Sequence, residues 1–560
     1  EKIMDYEKIA ELLYPDVKLS VDDILKRYPK RNLSEGQVVT RFAPSPTGLL
    51  HIGNFFQAFI SYNLAKNTNG ILFLRIEDTD EKRKVREAKA VIYEVLERFG
   101  LKFDEYQTLD GKDIGNYGPY VQSQRVEIYQ AFAKKLVSVG KAFPCFCKKT
   151  EGKEDVLKLR ENKFEEDDEK EYDPCRDLSY DEVKKHIDNG ESFAIRLKTK
   201  NTGKERIKFN DLIKGELEAK ANAKDFVIVK SDGVPPYAFA HAIDDTLMGT
   251  TVAVRGEEYI SSTPAHLELF EALGFKPINY CHNPLICKID EKTGNRRKIS
   301  KRYDPEANMM FYFEQGYPKE SVLEYLLNMI NSGFEIWRKN NPDQAWQDFK
   351  FGIHDITAVA PIFDLVKLND ISKNLIARMS GQELYSNWLA WAREYDKELA
   401  SVLESDSEKY IKFCQMDRDG AAKPRKDIYN YAMMKEYFDY IFNAPTKYEL
   451  DESDIQNAKE FLAEYGKTFS MPASNEEWFA FVKALAGSLG YATDNKAYKQ
   501  NPDAYKGNVA KACEFIRVAI TGRKNSPTLY TIMSILGENE VKVRINNFIT
   551  SLTLGDCPKK

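Results

Sequence analysis

No stretch of this chain reaches the roughly 18 consecutive apolar residues that a membrane span requires. No glycine-rich phosphate loop of the GxxxxGK kind occurs either. Cysteine is sparse, eight in 560 residues, too few for a disulfide scaffold in so long a chain. Histidine is sparser still, with six, so the setting of each one is informative. Neither charge dominates: 82 Lys and Arg stand against 87 Asp and Glu, net −5. That balance excludes a uniformly basic nucleic-acid coat but not local patches that meet phosphates. Glu1–Tyr6 is acidic and mixed, without the basic and apolar regions of a signal peptide. These absences lead to the expectation of a cytoplasmic protein with no membrane contact. The length exceeds one core and predicts roughly three to five domains.

What is present starts with Arg41-Phe-Ala-Pro-Ser-Pro-Thr-Gly-Leu-Leu-His-Ile-Gly-Asn54. Val38, Val39 and Phe42 predict a short strand over 38–43, and the Pro/Gly turn then delivers His51 and Gly53 to a helix start. Backbone N–H groups at a helix N-terminus bind anions, glycine lets a phosphate approach closely, and an imidazole can donate to a phosphoryl oxygen. A purely structural histidine is the alternative. The helix carries Phe55, Phe56, Phe59, Ile60 and Leu64 and ends near Gly70. A strand over 71–76 and an amphipathic helix over 81–99 follow, with Gly100 at its C-cap. This alternation predicts a parallel, doubly wound sheet. It breaks between about 118 and 224, which reads as an insertion whose charged stretch 161–171 is a solvated loop. Sheet character returns at 225–230 and 250–254, and a helix starts at Ser262/Thr263, with Pro264 in its first turn, and stops at Gly274. Beyond about 305 the apolar spacing is helical.

Three further segments carry chemistry. In Lys298-Ile-Ser-Lys-Arg302, two lysines flanking a serine suit charge developing on phosphates; plain surface is the alternative. In Leu74-Arg-Ile-Glu-Asp-Thr-Asp80, Glu77 lies at a strand end where such folds bind ligands, while Asp78, Thr79 and Asp80 are suited to cap the next helix. Arg255, in Val254-Arg-Gly-Glu-Glu258, suits bidentate carboxylate binding, unless it simply pairs with Glu257 or Glu258. Basic clusters at Arg296–Lys298 with Lys301 and Arg302, and at Arg418, Lys423, Arg425 and Lys426, are candidate phosphate patches; for the second, a solvated loop is the favoured alternative.

The run Pro44-Ser-Pro-Thr-Gly-Leu-Leu-His-Ile-Gly53 resembles the HIGH element of class I aminoacyl-tRNA synthetases, in the wording of glutamyl-tRNA synthetases. Lys298–Arg302 resembles their KMSKS element in its KLSKR-like form. Together with Leu74–Asp80, Asp232–Gly249 and Val254–Glu258, the resemblance spans about 38–330. Ile516-Arg-Val-Ala-Ile-Thr-Gly522, Ser526-Pro527 and Ile535-Leu-Gly537 extend it to the helical anticodon-binding end of bacterial-type enzymes.

The resemblance implies an α/β Rossmann-like catalytic domain in two halves, 38–117 and 225–304, around an inserted α+β acceptor-binding domain at 118–224. It implies an N-terminal helical extension at 1–37, stem-contact helices at 305–372 and an all-α anticodon-binding region at 373–560. The implied reaction is ATP- and Mg²⁺-dependent activation of L-glutamate and transfer to the 3′ end of tRNA(Glu), by a monomer. Some relatives also charge tRNA(Gln). His51, Lys298 and Lys301 are the implied catalytic groups. Arg41, Ala43, Ser45, Glu77, Tyr237 and Arg255 are implied for glutamate: the arginines and Tyr237 for its side-chain carboxylate, Glu77 for its ammonium. His51, Gly53, Asn54, Glu258, Lys298, Ser300 and Lys301 are implied for ATP. The Ala43–Gly48 wording departs from that of glutaminyl enzymes and favours glutamate.

Cys145-Phe-Cys147 with Cys175 supplies three thiolates to a tetrahedral Zn²⁺ and needs a fourth ligand. Some relatives carry such a zinc in the insertion, with tyrosine or histidine fourth. Tyr172 is the matching candidate, set closer to Cys175 than in the relatives, and Asp173 or water are alternatives. Reduced cysteines without metal are the competing reading. Other functions weighed are a truncated relative that glutamylates queuosine on tRNA, disfavoured by the long helical C-terminal part, a glutaminyl enzyme, and a silent tRNA-binding scaffold.

Overall fold

The computed structural model describes residues 5–46, 48–79, 85–147 and 173–554. Two compact units divide them: the chain up to Tyr312 together with Val322–Leu365, and Phe313–Ser321 together with the chain from Val366 onward. The stretch 305–372, expected to stand as one domain, is shared between these units.

The first unit opens with two short helices, Tyr6–Leu13 and Val21–Arg27, capped by the side chains of Asp5 and Ser20, which accept from Lys8 N–H and Asp23 N–H. Their apolar faces (Ile9, Leu13, Ile24) join a core with Tyr129, Phe132 and Leu136 of helix Val126–Ser138. Arg31, just beyond, forms a two-pronged ion pair with Glu105 at 2.7 Å on both arms and donates from Nε to the Met248 carbonyl at 2.8 Å.

Strand Val39–Phe42 pairs in parallel with Ile71–Leu74 across the intervening helix Ile52–Asn67. All four residues of the first strand are buried, as expected where a parallel strand is covered on both faces. The second parallel pair, Val252–Gly256 with Asn279–Asn283, encloses helix Thr263–Leu273, which ends in a left-handed Gly274 at φ 75°. The two halves meet where Thr251 N–H donates to the Val39 carbonyl and Val39 N–H to Thr251 Oγ1, both at 2.9 Å. This is the two-halved α/β arrangement that the alternation predicts.

The region between the halves departs from that alternation. Ala142–Cys145, Ala194–Leu197 and Phe226–Val229 form an antiparallel three-stranded sheet. Strand Phe226–Val229, expected to resume the parallel sheet at 225, therefore completes the inserted one; its apolar run marks it as buried but carries no information about its partner. A hairpin, Arg206–Asp211 with Gly215–Lys220, pairs instead with the catalytic half through Asp211 opposite Tyr280.

Among the described residues the second unit is helical, around a core that includes Trp388, Phe461, Tyr465, Phe515 and Ile516. Arg418 and Arg425, candidates for a phosphate patch or a solvated loop, point inward. Arg418 donates to the carbonyls of Cys414 and Ile376, and Arg425 pairs with Asp427. No helix among the described residues is long and apolar enough to cross a membrane.

Candidate active site

His51 is the N-cap of helix Ile52–Asn67, and its Nδ1 accepts from Gly53 N–H at 2.9 Å. An accepting Nδ1 in a neutral ring leaves the proton on Nε2, so the ring can offer one outward donor. Burial, with Lys301 and Lys298 nearby, lowers its pKa to about 4 and keeps it neutral. A Cβ at position 53 would lie 3.1 Å from His51 Nδ1, so glycine leaves room for the imidazole to fold over the helix end.

The 298–302 loop closes on this corner. Lys301 Nζ donates to the Leu49 carbonyl, Met309 N–H donates to the Leu50 carbonyl, and His51 bridges to Asn308. Asp304 staples the loop, accepting from both Nη atoms of Arg297 at 2.6 and 2.7 Å and from Ser300 N–H at 2.9 Å. The Arg297 bonds hold its carboxyl well below the usual range. Lys298 ends strand Arg296–Lys298 and is exposed, as are Asn54, Ser45 and Glu258; Ala43 and Ser300 are half-buried. Thr47 and Asp80 lie outside the described residues.

Behind this corner lies a buried charged floor. Arg41 Nε reaches Asp245 at 3.1 Å and its Nη1 donates to the Val254 carbonyl. Arg75 joins Asp245 at 2.8 Å to Glu77 at 3.1 Å. Asp244 accepts from Gln122, Tyr129 and Arg125 at 3.0, 2.7 and 2.7 Å. Burial works against the Asp245 charge, yet Arg41, Arg75 and His241 hold its carboxyl well below the ordinary range. Glu77 goes the other way: burial raises it to about 7 even beside Arg75 and Arg41. Its backbone N–H is tied to the Pro44 carbonyl at 3.0 Å, which places it beside the 44–53 turn. The Asp78 carboxylate accepts from Ser123 N–H and Oγ at 2.8 and 2.7 Å.

Arg255 pairs with neither Glu257 nor Glu258. Glu257 is taken by Lys214 at 2.8 Å, while Arg255 donates to His282 Nε2, His266 Nδ1 and Thr263 Oγ1 at 2.9, 2.7 and 3.0 Å. Tyr237, half-buried, stacks on His241, with ring centroids 5.3 Å apart and planes 9° apart, and lies 5.9 Å from His266. His241 Nδ1 sits 2.5 Å from Asp245, and its Nε2 is 2.8 Å from Tyr280 Oη.

The structure thus brings Arg41, Glu77, Tyr237 and Arg255 onto one buried framework and His51, Gly53, Ser300 and Lys301 onto another. Sequence reasoning missed the acids and histidines between them: Asp211, Asp244, Asp245, Asp304, His241, His266 and His282. The scarcity of histidine was the available signal, since three of the six converge here.

The cysteine cluster forms as spaced. Ligand atoms of Cys145, Cys147, Cys175 and Asp173 all lie within 4.8 Å of one another. The Cys147 and Cys175 sulfurs are 3.7 Å apart, far beyond a disulfide and close to the edge of about 3.8 Å of a tetrahedron with Zn–S near 2.3 Å. Asp173 Oδ1 accepts from Cys175 N–H at 2.9 Å, and Arg196 lies 3.2 Å from its Oδ2, which orients the carboxylate. Tyr172 lies outside the described residues.

Comparison with known proteins adds the lineage. Residues 37–341 match the tRNA synthetases class I (E and Q), catalytic domain family, and residues 421–549 match an anticodon binding domain. The chain is 42% identical to the glutamate–tRNA ligase of Clostridium perfringens (strain SM101 / Type A) and 43% identical to that of Acetivibrio thermocellus. Each match runs over 557 residues, 98% of this chain and 100% of the relative. A crystal structure of glutamate-tRNA synthetase from Elizabethkingia anophelis superposes with a TM-score of 0.71 at 25% identity, covering 92% of this chain and 100% of that one. With a family match over more than half its length and such relatives along nearly all of it, the chain belongs to the glutamate–tRNA ligases of the class I tRNA synthetases.

Proposed function

We infer that this chain activates L-glutamate with ATP and Mg²⁺ and joins it to the 3′ end of tRNA(Glu). An α-carboxylate oxygen of glutamate attacks the α-phosphorus of ATP, giving glutamyl-adenylate and pyrophosphate. The 2′-hydroxyl of the terminal adenosine then attacks the carbonyl, forming the ester and releasing AMP and a proton. No side-chain nucleophile is needed, so the protein works by positioning and charge.

One observation carries the amino-acid assignment: Arg255 is a buried guanidinium whose hydrogen-bond acceptors are all neutral. An anionic side chain answers that charge, whereas an amide does not. Glu77, deprotonated by an incoming ammonium, answers the other end, and Arg41 and Tyr237 join Arg255 in holding the side-chain carboxylate. Ala43 and Ser45 contribute the near wall. At the ATP corner, His51 and Lys301 face the phosphates, Gly53 and Asn54 open the helix end, and Lys298, Ser300 and Glu258 complete the contacts. Cys145, Cys147, Cys175 and Asp173 hold one Zn²⁺ that ties the inserted sheet to its loop, a structural closure without a role in the chemical steps. The same reading takes the insertion as the acceptor-binding part, the helical end as the anticodon-binding part, and the enzyme as a cytoplasmic monomer.

The test is aminoacylation with labelled glutamate and glutamine, each against purified tRNA(Glu) and tRNA(Gln). Glutamate on tRNA(Glu) is expected. Glutamate on tRNA(Gln) as well identifies a non-discriminating ligase. Charging with glutamine alone, or none at all with ATP and Mg²⁺ present, overturns the reading.

A further inference from the structure

Arg255 needs an aim as well as a charge. A guanidinium carries five N–H donors, and here three are spent on His282, His266 and Thr263. Its neighbours Arg41, Arg75 and Arg125 each reach Asp245 or Asp244 within 3.1 Å. Arg255 has neutral bonds instead, lies on the Tyr280 ring at 4.0 Å, and keeps two donors and a full positive charge in a buried place.

The bonds fix the tautomers. Arginine can only donate, so His282 Nε2 must accept, and its proton must sit on Nδ1. Asp211 Oδ2 stands 2.7 Å from that Nδ1 and also accepts His282 N–H at 3.0 Å. The other oxygen of Asp211 is held by the N–H groups of Ile213 and Lys214, both at 2.9 Å. Asp211 is fully buried at the end of strand Arg206–Asp211, in the hairpin that precedes the second catalytic half yet pairs with it at Tyr280. A carboxylate with both oxygens committed thus locks an imidazole, which locks one edge of the guanidinium. His266 and Thr263, from helix Thr263–Leu273, hold the rest.

We propose that Asp211 and His282 are a positioning pair for Arg255, with His266 as a second prop, and that they set the preference for glutamate over glutamine without touching the substrate. The pair spends an acid one residue removed from the arginine, so the arginine is aimed but not neutralised. Had Asp211 bonded Arg255 directly, the charge reserved for a carboxylate ligand would be cancelled. The proposal rests on Arg255 meeting the side-chain carboxylate.

Four variants test it: Arg255→Ala, His282→Ala, His282→Gln and Asp211→Asn. The readouts are glutamate KM, ATP KM, kcat and the ratio of kcat/KM for glutamate over glutamine. Gln at 282 can present an acceptor near the place of Nε2, whereas Ala cannot. The expected result is a glutamate KM raised about tenfold or more in Arg255→Ala and His282→Ala, with ATP KM within twofold and the glutamate-over-glutamine ratio reduced. His282→Gln is expected to recover most of the loss, and Asp211→Asn to show a smaller loss of the same kind. If Arg255→Ala raises glutamate KM while His282→Ala and Asp211→Asn do not, the positioning pair is overturned and the site stands. If Arg255→Ala leaves glutamate KM unchanged, the site assignment itself falls. Should His282→Ala fail to fold, Asp211→Asn and His282→Gln decide: unchanged glutamate KM and ratio in Asp211→Asn, or no difference between ATP and glutamate effects in both, overturns the proposal.

Discussion

Lys301 Nζ is bonded to the carbonyl oxygen of Leu49, so the 44–54 turn and the 298–302 loop touch across 252 residues of sequence. The lysine rests on a backbone oxygen of the very turn that places His51. A ligand phosphate entering the corner competes for this ammonium with a stronger, charged acceptor.

Lys301→Ala is expected to slow adenylate formation by about 10²–10³, the usual cost of one preorganised transition-state donor. ATP–pyrophosphate exchange in the presence of tRNA measures this. Near-normal exchange removes Lys301 from the phosphate site.

Glutamate binding is expected to release protons near pH 7. Burial raises Glu77 to about 7, so in the unliganded site it is about half protonated at that pH. An ammonium placed beside it favours the ionised form, lowers its pKa and expels the proton. The sign follows: affinity rises as pH increases toward and through 7, then levels once Glu77 is ionised without ligand. Calorimetry in buffers of different ionisation enthalpy reads the proton count, and Glu77→Gln is expected to abolish it. A count unaffected by Glu77→Gln places the titration elsewhere.

Purified protein is expected to carry about one zinc per chain, as four ligands closing a tetrahedron imply. Elemental analysis gives the ratio. Cys147→Ser, or strong chelation, is expected to lower both the zinc content and the melting temperature. Equal metal content in the wild type and in Cys147→Ser sinks the site.

Arg31→Ala is expected to cost about 1–3 kcal/mol of stability, because Glu105, whose side chain is 12% exposed, loses the guanidinium and keeps the Tyr120 hydroxyl as a donor. Urea unfolding reads the change. A loss under about 1 kcal/mol, the scale of a surface pair, shows that the Arg31–Glu105 pair contributes no more than an exposed one.

Helix boundaries and the parallel strands were legible because period and punctuation are local properties: Gly274 does end its helix, and Val39–Phe42 does pair as an apolar parallel strand. The approach of Cys145 and Cys147 was legible for the same reason, since Cys-x-Cys is a local spacing. The partners of the charged groups were not. Arg255 has two glutamates within three residues, yet its acceptors come from positions 263, 266 and 282. Asp78 bonds Ser123, 45 residues away, which nothing in its own segment announces. Charge pairing in a buried site is settled by which strands come to lie side by side, and local spacing does not contain that. The same blindness assigned Phe226–Val229 to the wrong sheet.

The seam between Val39 and Thr251 also has a meaning in time. The first strand leaves the ribosome more than 200 residues before the neighbour that covers its other edge. At bacterial or slower elongation rates of about 5–20 residues per second, that wait lasts about 10–40 s. During it the nascent chain carries an uncovered edge flanked by apolar side chains, a template for any passing strand. The inserted region therefore does more than separate two halves of a sheet: its length adds to the time that this edge stays uncovered during synthesis.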